Sequence, residues 1–158
     1  MMYQRAGQLD HAEARLAQAI ALDEGEALYH YKLGELRAHR GQWAAAALCY
    51  QAATRCSPLD DFYLVRLAAV LIRLQRRPDA LVALERAVRI DPANRAHRYL
   101  LGELLVLMGR LEAGNEQIRQ AGGLDQYDLD YISRVKLRSG QLLPGEEPII
   151  ISAIEVPA

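Results

Sequence analysis

The sequence predicts an all-α protein, a solenoid of stacked antiparallel helix pairs, on three observations. A 34-residue unit recurs along the chain. Each unit reads as two amphipathic helices. Glycine or proline closes helices at fixed places in the unit. The clearest copy is Ala27–Asp60, in which a turn at Arg40-Gly41-Gln42 separates two helices.

At 34-residue steps the chain shows Ala12, Ala46, Ala80 and Gly114. Four residues later come Leu16, Tyr50, Leu84 and Ile118, and three further on Ala19, Ala53, Ala87 and Ala121. In the other helix Leu33-Gly34 recurs as Leu67-Ala68 and Leu101-Gly102. A turn column reads Gly7, Gly41, Gln75 and Gly109, and a terminal column holds Pro58 and Pro92. Small residues let two helix axes approach, and the larger ones fill the space between successive hairpins. Proline lacks the N–H that a helix interior needs, so it ends one helix and directs the next. One hairpin cannot bury its apolar face alone, so neighbours must stack.

In the order Leu-Gly, small residue, aromatic or aliphatic, alanine and closing proline, Ala27–Asp60 resembles the tetratricopeptide repeat (TPR) family in full. Asp61–Asn94 resembles it with Ala68 for the glycine and Gln75 for the turn glycine. The resemblance implies a right-handed superhelix whose concave groove holds a peptide or a partner protein.

The segments then follow in order. Residues 1–26 are expected to form a partial first repeat: Met1–Ala6 aligns with the end of a first helix, Gly7 with the turn, and Asp10–Leu22 is the second helix. Such a start is expected of a piece of a longer array. Residues 27–60 and 61–94 are the two full repeats, with Asp60 or Asp61 and Asn94 as helix caps and Pro78 in a tolerated first-turn position. Residues 95–126 form a degenerate repeat, since Gly114 replaces the alanine and Gly122-Gly123 ends the helix early. Residues 127–140 are expected to hold a capping helix, about Asp128–Arg138, with Leu129, Ile132 and Val135 inward and Tyr131, Arg134 and Lys136 in water. Residues 141–158 are an apolar tail or linker. Pro148 and Pro157 bracket the β-branched run Ile149–Val156, which suits a linker or a docking strand better than a helix.

Composition narrows the function. A chain that is 51% apolar and 25% charged is globular, and a net charge of −1 gives no long-range pull toward nucleic acid or anionic membrane. No 18-residue apolar run occurs and Met1–Gly7 is polar, so no membrane span or signal peptide is expected and the expected location is cytoplasmic. Cys49 and Cys56, seven apart on one helix, stand roughly 10 Å apart along its axis, too far for a disulfide. They read as small half-buried hydrophobes in a reducing compartment.

No catalytic constellation, cofactor motif or metal set is expected. The histidines at 11, 30, 39 and 97 are scattered, and no phosphate-binding or nucleophile motif occurs. The chain is therefore expected not to be an enzyme. Trp43 reads as a packing lid at the start of its helix.

What remains is the groove. The resemblance implies that it is lined by Leu28, Tyr31, Glu35, Ala38 and His39 from the second repeat. The third repeat would add Phe62, Val65, Ala69, Ile72 and Arg73, and the fourth Ala96, Tyr99, Glu103, Val106 and Leu107. The family's clamp for a C-terminal carboxylate needs Lys and Asn where this chain has Tyr31 and Glu35, Val65 and Ala69, and Tyr99 and Glu103, so that clamp is absent. Glu35 and Glu103 would also face phosphates, which disfavours RNA. The expected function is a protein-interaction scaffold that grips a largely apolar segment. The alternatives are a homo-oligomerisation module, built on the first repeat and the tail, and an accessory domain of a longer enzyme.

Overall fold

The 34-residue period shows first in the helix ends. In the computed structural model, which describes residues 2–135 with side chains from Ala6 onward, eight helices follow one another and no strand occurs among the described residues. They are α1 Met2–Leu22, α2 Ala27–His39, α3 Trp43–Cys56, α4 Asp61–Arg73, α5 Arg77–Ile90, α6 Arg95–Leu107, α7 Leu111–Ala121 and α8 Gln126–Val135. The expected tail over 141–158 and the end of the capping helix lie outside the described residues.

The first helix of each hairpin is capped by an acceptor in one column. Glu26 accepts from the Leu28 N–H at 3.2 Å, Asp60 from Phe62 at 3.1 Å and Tyr63 at 3.4 Å, and Asn94 from His97 at 3.2 Å. Each cap satisfies an orphan donor of the first turn and contributes about 1 kcal/mol. The helix ends repeat as faithfully. Gly41 N–H bonds to the Ala38 carbonyl and Gln42 N–H to Arg37; Gln75 and Arg76 do the same with Ile72 and Leu71, and Gly109 and Arg110 with Val106 and Leu105. This double closure needs a left-handed residue at its centre, and Gly41 (φ 73°), Gln75 (φ 60°) and Gly109 (φ 80°) supply it. The second helices α3, α5 and α7 emerge directly from these turns and have no side-chain cap.

The chain forms two compact units, whose described parts are residues 2–58 and 59–135. In the first, α2 packs against α3 and α1 against α2. Ala46, Tyr50 and Ala53 of α3 are fully buried. Gly34 is required there, because a Cβ on it would stand 2.7 Å from the Tyr50 ring. Helix α1 is tied to α2 by ion pairs from Glu13 to Arg37 (2.7 Å) and Arg40 (2.6 Å), with Asp10 on Arg40 at 2.5 Å.

The turn expected at Gly7 is not formed. One continuous helix runs from Met2 to Leu22, so Met2–Ala6 prolongs α1 instead of folding back as a separate helix end. The column Ala12, Leu16 and Ala19, equivalent to the fully buried Ala46, Tyr50 and Ala53, is consequently only half-buried.

In the second unit α4 packs on α5 and α6 on α7, α5 touches α6, and α8 lies on α6 and α4. Ala80, Leu84 and Ala87 of α5 fill the first seam. In the second seam a Cβ on Gly102 would meet the Gly114 carbonyl oxygen at 2.7 Å, and one on Gly114 would meet the Gly102 carbonyl oxygen at 2.7 Å. Gly114 is thus a closer fit of two backbones, not a loosened alanine site.

Helix α8 differs from expectation in its facing. Ile132 and Val135 are buried as expected, but Leu129 is 46% exposed while Asp128 is buried and Tyr131 half-buried. Asp128 earns its inward place by bonding back to its own turn, with its Oδ2 accepting from the Asp125 N–H at 3.0 Å.

Candidate functional site

Three rows of residues make up the expected binding face, and the two units place them differently. In the first unit the row Leu28, Tyr31, Glu35 and His39 lies along α2. Tyr31 is 8% exposed, its ring centroid 6.0 Å from that of Tyr50, and Glu35 is 1% exposed and accepts the Tyr50 hydroxyl hydrogen. Both side chains are therefore buried beside Tyr50. Leu28 and His39, at the two ends of the row, are half-buried.

In the second unit Phe62, Ala69 and Arg73 of α4 are half-buried and Val65 is buried. On α6, Tyr99 and Glu103 are half-buried and Leu107 is 56% exposed. Of the flanking positions, Ile72 and Val106 are half-buried and Ala96 is buried. The Phe62 ring meets the Tyr63 ring at 6.3 Å and the Tyr131 ring of α8 at 6.4 Å, both edge-on. Edge-to-face contacts of this kind add to area burial by about 1 kcal/mol.

Two buried polar groups beside this face were not singled out from the sequence. Arg66 of α4, 1% exposed, donates to the Arg134 and Val135 carbonyl oxygens at 3.2 and 3.3 Å, tying α4 to α8. His97 of α6 has no solvent exposure, and its Nε2 lies 2.8 Å from the Tyr131 hydroxyl. A signal for both was present: Asp128, Tyr131, Ile132 and Val135 stand at i, i+3, i+4 and i+7, a fuller helical stripe than Leu129, Ile132 and Val135.

The chemistry of the face is that of contact. Among the described residues no group of three His, Cys, Asp or Glu side chains could hold a metal ion. Burial pushes the Cys49 thiol up from its ordinary value, against the pull of Arg37, so it stays a protonated, unreactive thiol. Cys56 donates weakly to the Glu24 carbonyl oxygen at 3.4 Å. His30 contacts that same carbonyl at 2.9 Å through Nε2, as a partly exposed packed histidine would. No described helix is long and apolar enough to cross a membrane.

A model of the tetratricopeptide repeat matches residues 3–61 and 65–121. The chain belongs to the tetratricopeptide repeat family. A search of curated proteins gives no match. Among solved structures, MamA 41-end from Desulfovibrio magneticus RS-1 is 25% identical, over 84% of this chain and 75% of its own, with a TM-score of 0.67. Another MamA crystal structure is 20% identical over 75% of this chain and 70% of its own, with a TM-score of 0.67. YrrB, a TPR protein with an unusual peptide-binding site, is 18% identical over 98% of this chain and 88% of its own, with a TM-score of 0.66. These likenesses agree with the all-α helical-repeat fold of the described residues. The expected rows lie on α2, α4 and α6.

Proposed function

We propose that this chain is a protein-interaction scaffold that holds a largely apolar peptide or partner segment against the faces of α4 and α6. TPR membership supports the class, and the peptide-binding site of YrrB, a protein of the same fold, supports the kind of ligand. The observation that carries the reading is a contrast in burial. The seam columns Ala46, Tyr50, Ala80 and Ala87 are completely covered, whereas Phe62, Ala69, Tyr99 and Leu107 are not, although they are apolar or aromatic. Apolar groups outside the seams still have area to lose, and burying it drives association at about 25 cal/mol per Å². Because the helices are preformed, the partner bears most of the ordering cost.

The test is a pull-down with the intact chain, followed by titration of whatever it captures. Tyr99→Ala combined with Leu107→Asp is expected to weaken capture at least tenfold, at a stability cost of about 1 kcal/mol. Tyr31→Ala is expected to behave otherwise, lowering stability by about 3 kcal/mol, since it removes a ring packed on Tyr50. Full capture by the Tyr99/Leu107 variant would place the binding face elsewhere.

A further inference from the structure

His97 is the buried titratable group that the proposed function leaves unused. It sits in the first turn of α6, and three other elements close over it. Asp61 of α4 brings Oδ2 to 3.6 Å from Nδ1. The end of α5 contributes the Ala87 carbonyl and, just beyond the helix, the Asp91 carboxylate. Helix α8 supplies the Tyr131 hydroxyl on Nε2, with ring centroids 5.6 Å apart. Nδ1 makes no hydrogen bond of normal geometry, so one side of the imidazole is buried and unsatisfied. Among the described residues α8 is also held by the Phe62–Tyr131 ring contact, by buried Ile132 and Val135, by Arg66 on the Arg134 and Val135 carbonyls, and by Arg95 on Asp128 at 3.4 Å.

We propose that α8 is an acid-released latch: protonation of His97 unseats Tyr131, and α8 lifts from α4 and α6 while the two hairpins beneath it stay folded. Neutral His97 keeps its bond to Tyr131 through Nε2 and leaves only Nδ1, 3.6 Å from Asp61, without a hydrogen bond. A second proton places a cation in a site closed to water, where Asp61 and Asp91 offset only part of the lost hydration.

Burial holds the His97 pKa below the ordinary imidazole value despite the pull of both carboxylates. Burial, then Asp61, pushes the Tyr131 phenol up, so it stays protonated throughout. With α8 lifted, His97 titrates near its ordinary value of about 6.5. Below that pH the open form binds more protons than the closed one. The closed form is therefore fully favoured above about pH 6.5 and loses up to tenfold in population ratio per pH unit as the pH falls toward the depressed value. Release would also uncover the Phe62 ring, which Tyr131 meets edge-on. That consequence rests on the partner face proposed above, whereas the latch does not.

The experiment therefore needs no partner. Amide hydrogen exchange of the intact chain is followed at pH 7.5 and 5.5, with each rate corrected for the intrinsic effect of pH. Protection of α8 is expected to fall by up to about tenfold at the lower pH, while protection of α7 holds. His97→Gln, which cannot titrate, is expected to abolish the fall. Unchanged α8 protection in the wild type, or the same fall in His97→Gln, overturns the latch. If circular dichroism shows His97→Gln unfolded, Tyr131→Phe decides. Looser α8 at pH 7.5, with the gap to wild type closing at pH 5.5, supports the latch; an equal gap at both values overturns it.

Discussion

The α2–α3 hairpin of one unit and the α6–α7 hairpin of the other close their seams by opposite means. In α2–α3 the space beside Gly34 is taken by a large ring, Tyr50, whose hydroxyl is in turn held by buried Glu35. In α6–α7 glycine faces glycine, and the carbonyl oxygens of Gly102 and Gly114 lie where each other's Cβ would be. One seam is closed by a side chain and the other by backbone. A side chain can be exchanged for a smaller one, whereas a backbone oxygen cannot. The α4–α5 hairpin shows the intermediate solution, with Ala68 against Ala80 and Leu84 in the place of the tyrosine, all buried.

The largest effect is expected at the backbone seam. Alanine is the better helix former by about 1 kcal/mol, so Gly114→Ala would stabilise an open helix. Here the new Cβ meets Val106 Cγ2 at 2.6 Å and the Gly102 carbonyl oxygen at 2.7 Å. Forcing the helices apart costs about 3 kcal/mol, the upper end for overpacking because neither backbone can yield, and with the alanine gain subtracted the net expectation is a loss of about 2 kcal/mol. In thermal unfolding that is a fall of about 4–8 °C. A variant as stable as the wild type would mean that the seam is looser than drawn.

The side-chain seam should be as sensitive to one substitution but curable. Gly34→Ala puts a Cβ 2.7 Å from the Tyr50 ring and is expected to cost about 2 kcal/mol. Adding Tyr50→Leu makes room, and adding Glu35→Ala removes the carboxylate that would lose its phenol donor. The three changes together import Ala68, Leu84 and Ala69 from the α4–α5 hairpin. The triple variant is expected to recover at least half the loss, read as the midpoint of urea unfolding. If it melts below the Gly34→Ala variant, the seams are not interchangeable and the comparison fails.

These seams also show why some of the molecule was legible in its sequence. Helix ends follow from local chemistry, so Asp60, Asn94, Gly41, Gln75 and Gly109 announce themselves by residue type and period. Gly7 shares the column without sharing the turn. Glycine permits a left-handed turn but does not demand one.

The burial of the expected rows was half legible for a related reason. Register places Tyr31 and Glu35 on α2, but only the identity of their neighbour, Tyr50, decides that they pack inward. The inward turn of Tyr131 depends likewise on His97 and Phe62, which are 34 and 69 residues away in sequence. No local pattern carries such a pairing.

The smallest expected effect isolates backbone from packing. Gly41 and Gly109 have nothing within 4 Å of a built Cβ, so in those turns only the left-handed conformation selects glycine. Gln75 adopts the same conformation, at φ 60°, with the same pair of closing hydrogen bonds. A non-glycine residue there costs about 1–2 kcal/mol in the folded state, and glycine gives back about 0.5–1 kcal/mol through its freer unfolded chain. Gln75→Gly is therefore expected to stabilise the protein by about 0.5 kcal/mol, and Gly41→Gln to destabilise it by a similar amount. Opposite shifts in urea midpoint, with unchanged slope, would show that one strain governs both turns. A loss of stability in Gln75→Gly would mean that the glutamine side chain makes contacts outweighing its backbone cost.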